Sequence, residues 1–178
     1  LSILRKLLKS KIFYFLLIIL FIVLVLLAVR QTTYKPIQVV KQHLGGQAPY
    51  LSVNRLLKQV EINEEQVLLF YYNNKNNIAY ALLEKGILGY KLLHASGELK
   101  VKSNVIPVGL QFGFYNKEAG WVGCGVIYDD SVAKIIIDDN NANIINADDI
   151  RLWYLVGTGE IDTDNTKIID YNGNDIIH

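Results

Sequence analysis

The residues with the clearest chemical potential are acids and amides near one end of the 178-residue chain: DDNNAN at 138–143, DTDN at 162–165 and DYNGND at 170–175. Hard cations such as Ca²⁺ take six to eight oxygens, and Asp or Asn side chains at alternate positions of a tight loop supply them. Asp170, Asn172 and Asn174 match the first three ligand positions of such a loop. The match then fails, with Gly173 at the fourth place and Asp175 at the sixth, where the sharp-turn Gly belongs. The simpler alternative is that Asn-Gly and Asp-Asn make hairpin turns, each Asx side chain bonding its own backbone. A weak divalent site built from Asp162, Asp164 and Asp170, with Ca²⁺ as its ion, is held against that alternative.

Other chemistries find less support. His43, His94 and His178 are far apart, and with one cysteine no zinc signature exists, because a tetrahedral site needs several N or S ligands. Cys124 lies in WVGCGVIY, where period-2 alternation puts Trp121, Gly123, Gly125 and Ile127 on one side and Val122, Cys124, Val126 and Tyr128 on the other. Its neighbours on that side are apolar, so it reads as a small buried hydrophobe rather than an activated thiol. Gly109, Gly113, Gly120, Gly123 and Gly125 mark bends or close backbone approach; no phosphate-cradling loop pattern accompanies them. Acid pairs stand at Asp129-Asp130, Asp138-Asp139 and Asp148-Asp149, in turn-like sequence where solvation is the default. Catalysis by paired carboxylates in a cleft is therefore not expected. Trp121, Trp153 and eleven tyrosines serve either a core or a sugar-stacking platform, and core packing is the favoured use.

These residues must be positioned by two kinds of element. Residues 12–29, IFYFLLIILFIVLVLLAV, carry no charge, Gly or Pro. Eighteen residues of helix rise roughly 27 Å, near the hydrocarbon thickness of a bilayer, so a transmembrane helix is expected there. Residues 1–30 hold Arg5, Lys6, Lys9, Lys11 and Arg30 and no acid. Cations ahead of the apolar run predict a cytoplasmic tail at 1–11, the N-terminus inside and the remainder outside the cytoplasmic membrane. LLAVRQTT has no cleavage-site pattern, so an uncleaved anchor is preferred to a signal peptide. The chain contains no Met, which leaves open whether Leu1 is a non-standard start or follows further residues.

Residues 30–60 read as a stem with short helices, among them PIQVVKQHL, opened by Pro36 and stopped at Gly45-Gly46. Residues 51–60 are either helix or extended. From about residue 61 to 178 the period becomes that of strands: VLLFYYN, IAYALLEKG, ILGYKLLHASG, ELKVKSNV, LQFGFYN, WVGCGVIYDD, VAKIIIDD, NIIN, IRLWYLVG and KIIDYNGN, separated by turn residues. Connections too short for parallel crossovers imply antiparallel pairing. The expected fold is mainly β: an N-terminal transmembrane helix followed by one mostly antiparallel β-domain, as a sandwich, barrel or curved meander.

The stretch VLLFYYNNKNNIAYALLEKGILGYKLLHASGEL at 67–99, with GVIYDD, IRLWY and YNGN later, resembles small uncharacterised single-pass membrane-anchored proteins of Gram-positive bacteria. The resemblance implies an envelope-facing β-domain and supplies no catalytic residues.

Charge is unevenly spread: residues 129–178 carry 3 basic and 11 acidic side chains, a balance of −8. No basic face suited to phosphates exists beyond the N-terminal cluster, so nucleic acid is not an expected partner. The functional expectation is a non-catalytic, membrane-anchored envelope protein presenting its β-domain for binding. Its expected partners are the lipid bilayer and an envelope polymer or membrane protein. The alternatives are an enzyme acting on envelope polymers and a sensor or regulatory subunit of a membrane complex. A pocket gathering two or more acids with a His or Tyr would favour the enzyme.

Overall fold

The computed structural model describes residues 11–32, 35–46, 50–86, 89–115 and 120–176, with α1 side chains described over 13–27. Among the described residues, two helices, α1 (Lys11–Thr32) and α2 (Pro36–Leu44), precede eleven strands. β1 (Val53–Glu61), β2 (Gln66–Asn73), β3 (Ile78–Gly86) and β4 (Gly89–Leu99) form sheet A as a meander in chain order. Sheet B runs β5 (Gln111–Tyr115), β6 (Gly120–Ile127), β10 (Ile150–Thr158), β9 (Asn143–Ala147). Sheet C runs β11 (Thr166–Asp170), β7 (Val132–Ile137), β8 (Asn140–Asn141). All pairings are antiparallel, as the short connections require.

The three sheets and α2 stack as layers, and alternation along the strands decides what each layer buries. Leu68, Phe70, Ile78, Tyr80 and Leu82 of sheet A pack against Val122, Cys124, Val126 and Leu152 of sheet B. Their sequence neighbours Val67, Leu69, Tyr71, Ala79, Ala81 and Leu83 point the other way and are covered by Val39, Val40 and Leu44 of α2. That two-sided burial explains why β2 and β3 read as continuous apolar runs. On its far face, sheet B offers Trp121, Ile127, Trp153 and Leu155 to Val132, Ile135, Ile137 and Ile168 of sheet C. The division of WVGCGVIY into two faces is therefore the one its alternation predicts. Both tryptophans are core residues.

α2 begins at Pro36, whose fixed φ suits the first helical position, and Gln38 Oε1 accepts the Lys35 N–H at 3.3 Å. Pro36, Val39, Val40 and Leu44 form its buried stripe. It packs on sheet A, and of residues 51–60, left between helix and extended, those from Val53 onward belong to strand β1.

The expected membrane anchor at 12–29 is corrected here. An α-helix does cover Lys11–Thr32, with apolar side chains exposed from Tyr14 to Leu27. Among the described residues, however, no helix is long and apolar enough to cross a membrane. The described fold is mainly β and does not support a single-pass anchor, nor the N-inside topology and cytoplasmic-membrane localisation that rested on it.

A second correction concerns ELKVKSNV at 98–105, expected as a strand. β4 ends at Leu99, and residues 100–110 cross without a named strand to β5. Side chains take the backbone groups that a ladder would need. Ser103 Oγ accepts the N–H groups of Val105 and Ile106 at 3.2 and 3.4 Å, and Lys100 O accepts the Tyr128 hydroxyl at 2.8 Å.

Candidate binding cleft

That irregular segment builds one wall of a cleft of about 640 Å³. The opposite wall is the turn from β6 to β7, Tyr128–Ser131, and Ile176 closes one end. Each wall is held by hydrogen bonds. Pro107 O accepts the N–H groups of Tyr128 and Asp129 at 2.8 and 3.2 Å, Gly109 N–H bonds Val126 O at 2.8 Å, and Val108 bridges Ile127. The turn is clamped by Arg151, whose guanidinium donates to Asp129 O at 3.4 Å, Asp130 O at 3.3 Å and Val132 O at 2.7 Å. Ile176 N–H bonds Ile168 O at 2.8 Å, tying the end wall to β11.

The side chains presented are of two kinds. Val105 and Ile106 stand 91% and 49% exposed at the mouth, pushed outward by the Ser103 turn. Asp129 and Asp130 are exposed acids. Asp129 Oδ1 accepts the Ser131 N–H at 2.8 Å, and this bond, with Arg151 nearby, holds its carboxyl below the usual carboxylate range. Burial pushes the Tyr128 phenol up, and its hydroxyl is committed to Lys100 O. A smaller cleft of about 240 Å³ lies across the same segment and shares Ser103, Asn104, Tyr128 and Asp130.

The acids singled out in the sequence lie elsewhere. Asp170 caps its own turn: Oδ1 accepts the N–H groups of Asn172 and Asn174, both at 2.8 Å, and Oδ2 accepts Asn174 Nδ2 at 3.0 Å. These bonds lower its carboxyl pKa. Asp162 Oδ1 accepts the Asp164 N–H at 3.0 Å, while the Asp162 N–H reaches Asp138 Oδ2 at 3.3 Å. Asp162 and Asp164 are thus turn neighbours, and Asp170 serves a different turn. Among the described residues no group of three or more His, Cys, Asp or Glu side chains is placed to hold a metal ion. His43 Nδ1 lies 3.3 Å from Val39 O at the end of α2, and His178 falls outside the described residues.

A polar group of a different sort sits between sheets A and B. The Tyr80 hydroxyl, His94 Nε2 and Gln111 Oε1 are buried without a hydrogen-bond partner. Gln111 Nε2 donates to Ser96 Oγ at 2.6 Å and to Gly97 O at 3.1 Å, and the Tyr80 and His94 rings are 5.8 Å apart. Burial raises the Tyr80 phenol and the Cys124 thiol and lowers the His94 imidazole, so each is held neutral. Nothing there activates Cys124, which is fully buried.

Sequence reasoning missed the cleft because it read 98–105 as strand. The one available signal was Ser103 followed by Asn104 inside an otherwise β-like run, the kind of residue pair that turns a chain. No family model, curated protein or solved structure matches the chain.

Proposed function

We propose that this chain is a non-catalytic binding module and that the cleft between residues 103–107 and 128–130 is its binding site. The observation that carries the reading is a preformed cleft whose two walls are fixed by hydrogen bonds while aliphatic side chains stand exposed at its mouth. Exposed Val105 and Ile106 beside polar groups are the composition of a recognition surface.

One observation favours an enzyme instead: the cleft brings Tyr128, Asp129 and Asp130 together. Their states argue for binding. A general acid among carboxyls needs a raised pKa, whereas Asp129 is lowered, and the Tyr128 hydroxyl already donates to a backbone carbonyl.

A photo-crosslinking residue in place of Val105, in the full chain and in the cells that make it, tests the site. Crosslinks from position 105 that are absent from the also exposed Tyr171 position, and lost when Ile106→Asp is added, are the expected result. The same products from both positions, or none from 105, would overturn the assignment.

A further inference from the structure

Building on that reading of the cleft, we infer that its ligand is a peptide segment carrying a cationic side chain next to an apolar one. The argument is complementarity. Among the residues lining the larger cleft, Asp129 and Asp130 are charged and neither Lys nor Arg is present. The nearest guanidinium, Arg151, donates to the backbone carbonyls of Asp129, Asp130 and Val132 and acts on the Asp129 carboxylate only as a nearby charge, which leaves both carboxylates open to a ligand's cation. The Asp129 carboxylate stays ionised because the Ser131 N–H already favours its charged form. Opposite the acids, Val105 and Ile106 offer apolar surface, which a small hydrated cation does not use and an adjacent Leu or Val side chain does. An acidic peptide or a phosphate would meet like charge on entry.

The test uses the ¹⁵N-labelled full chain and the amides of Ser103–Ile106 and Asp129–Ser131 as reporters. Four probes are titrated: acetyl-Leu-Lys-Leu-Arg-amide, the same peptide with Gln at both basic positions, the same with Glu, and spermidine alone. The cationic peptide should shift the cleft amides at least tenfold more tightly than the Gln peptide or spermidine. Its affinity should fall as salt is raised. Asp130→Asn should remove most of that preference, and Asp129→Asn should do the same, since an Asn oxygen can still accept the Ser131 N–H and hold the turn. Equal binding of the Gln peptide, or no effect of either variant, would overturn the cationic assignment and leave the cleft a binding site. Equal binding of spermidine would overturn the peptide. Cleft amides silent toward all four probes overturn this inference. Crosslinks that persist from position 105 then point to a ligand of other chemistry, and their absence overturns the binding reading as well.

Discussion

Trp153 on β10 lies across Gly125, its register partner on β6, and its Nε1 donates to Gly109 O at 3.0 Å through the space that a Cβ on Gly125 would occupy. Four residues along the same strand pair the arrangement is reversed: the Trp121 ring on β6 covers Gly157 on β10. Each bulky ring on one strand needs a glycine on the other, so sheet B can carry two tryptophans at its centre and still accept sheet C above them.

Gly125→Ala should therefore be costly. Its Cβ would run into the Gly109 carbonyl, which is backbone and cannot swing aside, and into the indole nitrogen. We expect a loss of about 2 kcal/mol or more, combining overpacking with a broken buried hydrogen bond. Gly123→Val, against Phe112 and Trp153, should cost more than about 1 kcal/mol. Gly46→Ala, with nothing within 4 Å of the new methyl, is the control. Urea denaturation of the three variants checks the order, and an unchanged midpoint for Gly125→Ala would contradict the packing.

Cys124 should be unreactive while the protein is folded. It is wholly buried, and burial pushes its thiol pKa up, which removes the thiolate that attacks a disulfide reagent. Labelling by an aromatic disulfide should be slow in buffer and should accelerate through the same urea range as the loss of structure. Labelling at the rate of a free cysteine in native buffer would place the thiol at the surface.

His94 predicts a dependence on pH. Its ring lies so close over Gly113 that no Cβ fits there, and burial lowers its pKa from the ordinary 6.5. The unfolded chain thus binds a proton more readily than the folded one. The contribution is complete above about pH 6.5 and is lost as the pH falls from there through the folded pKa. Melting temperature should drop across that window in the wild type and drop less in His94→Gln. Parallel profiles for the two proteins would assign the acid sensitivity to other groups.

Asp170 should behave as a turn cap. Its lowered pKa means that its contribution is present above the ordinary carboxylate value of 3.8 and is lost as pH falls through the folded pKa. Asp170→Ala should lower the melting temperature at neutral pH, with millimolar Ca²⁺ making no difference to either protein. A calcium-induced rise that disappears in Asp170→Ala would instead restore the divalent site of Asp162, Asp164 and Asp170, since an ion bound only by the folded state must stabilise it.

What could be read from residues alone was whatever depends on short range. The two faces of WVGCGVIY, the helix opened by Pro36 and the Asx turn at Asp170 each follow from spacing over a few positions, and each is present. The layering was not legible. β2 and β3 are apolar on both faces, and such a strand does not say whether α2 or sheet B will cover a given side. The apolar run at 12–29 was legible as a helix, but not its relation to a membrane. The cleft was hidden because β-like composition at 98–105 is overruled by two side chains: Ser103, which captures backbone N–H groups locally, and Tyr128, which reaches Lys100 O from 28 residues away.

The order of strands in the sheets also sets the order in which the chain can assemble. Sheet A joins neighbours in sequence, so its hairpins close short loops and can form while the remainder is still extended. Sheet B cannot, because β6 pairs with β10 only after the intervening strands of sheet C and β9 have been made. Until then β6, buried along its whole length in the finished protein, has one unpaired edge and lacks the complete sheet C over its far face. During synthesis GWVGCGVI is thus the segment most open to pairing with another nascent copy, and the interval before residues 150–158 arrive is when a chaperone would matter most.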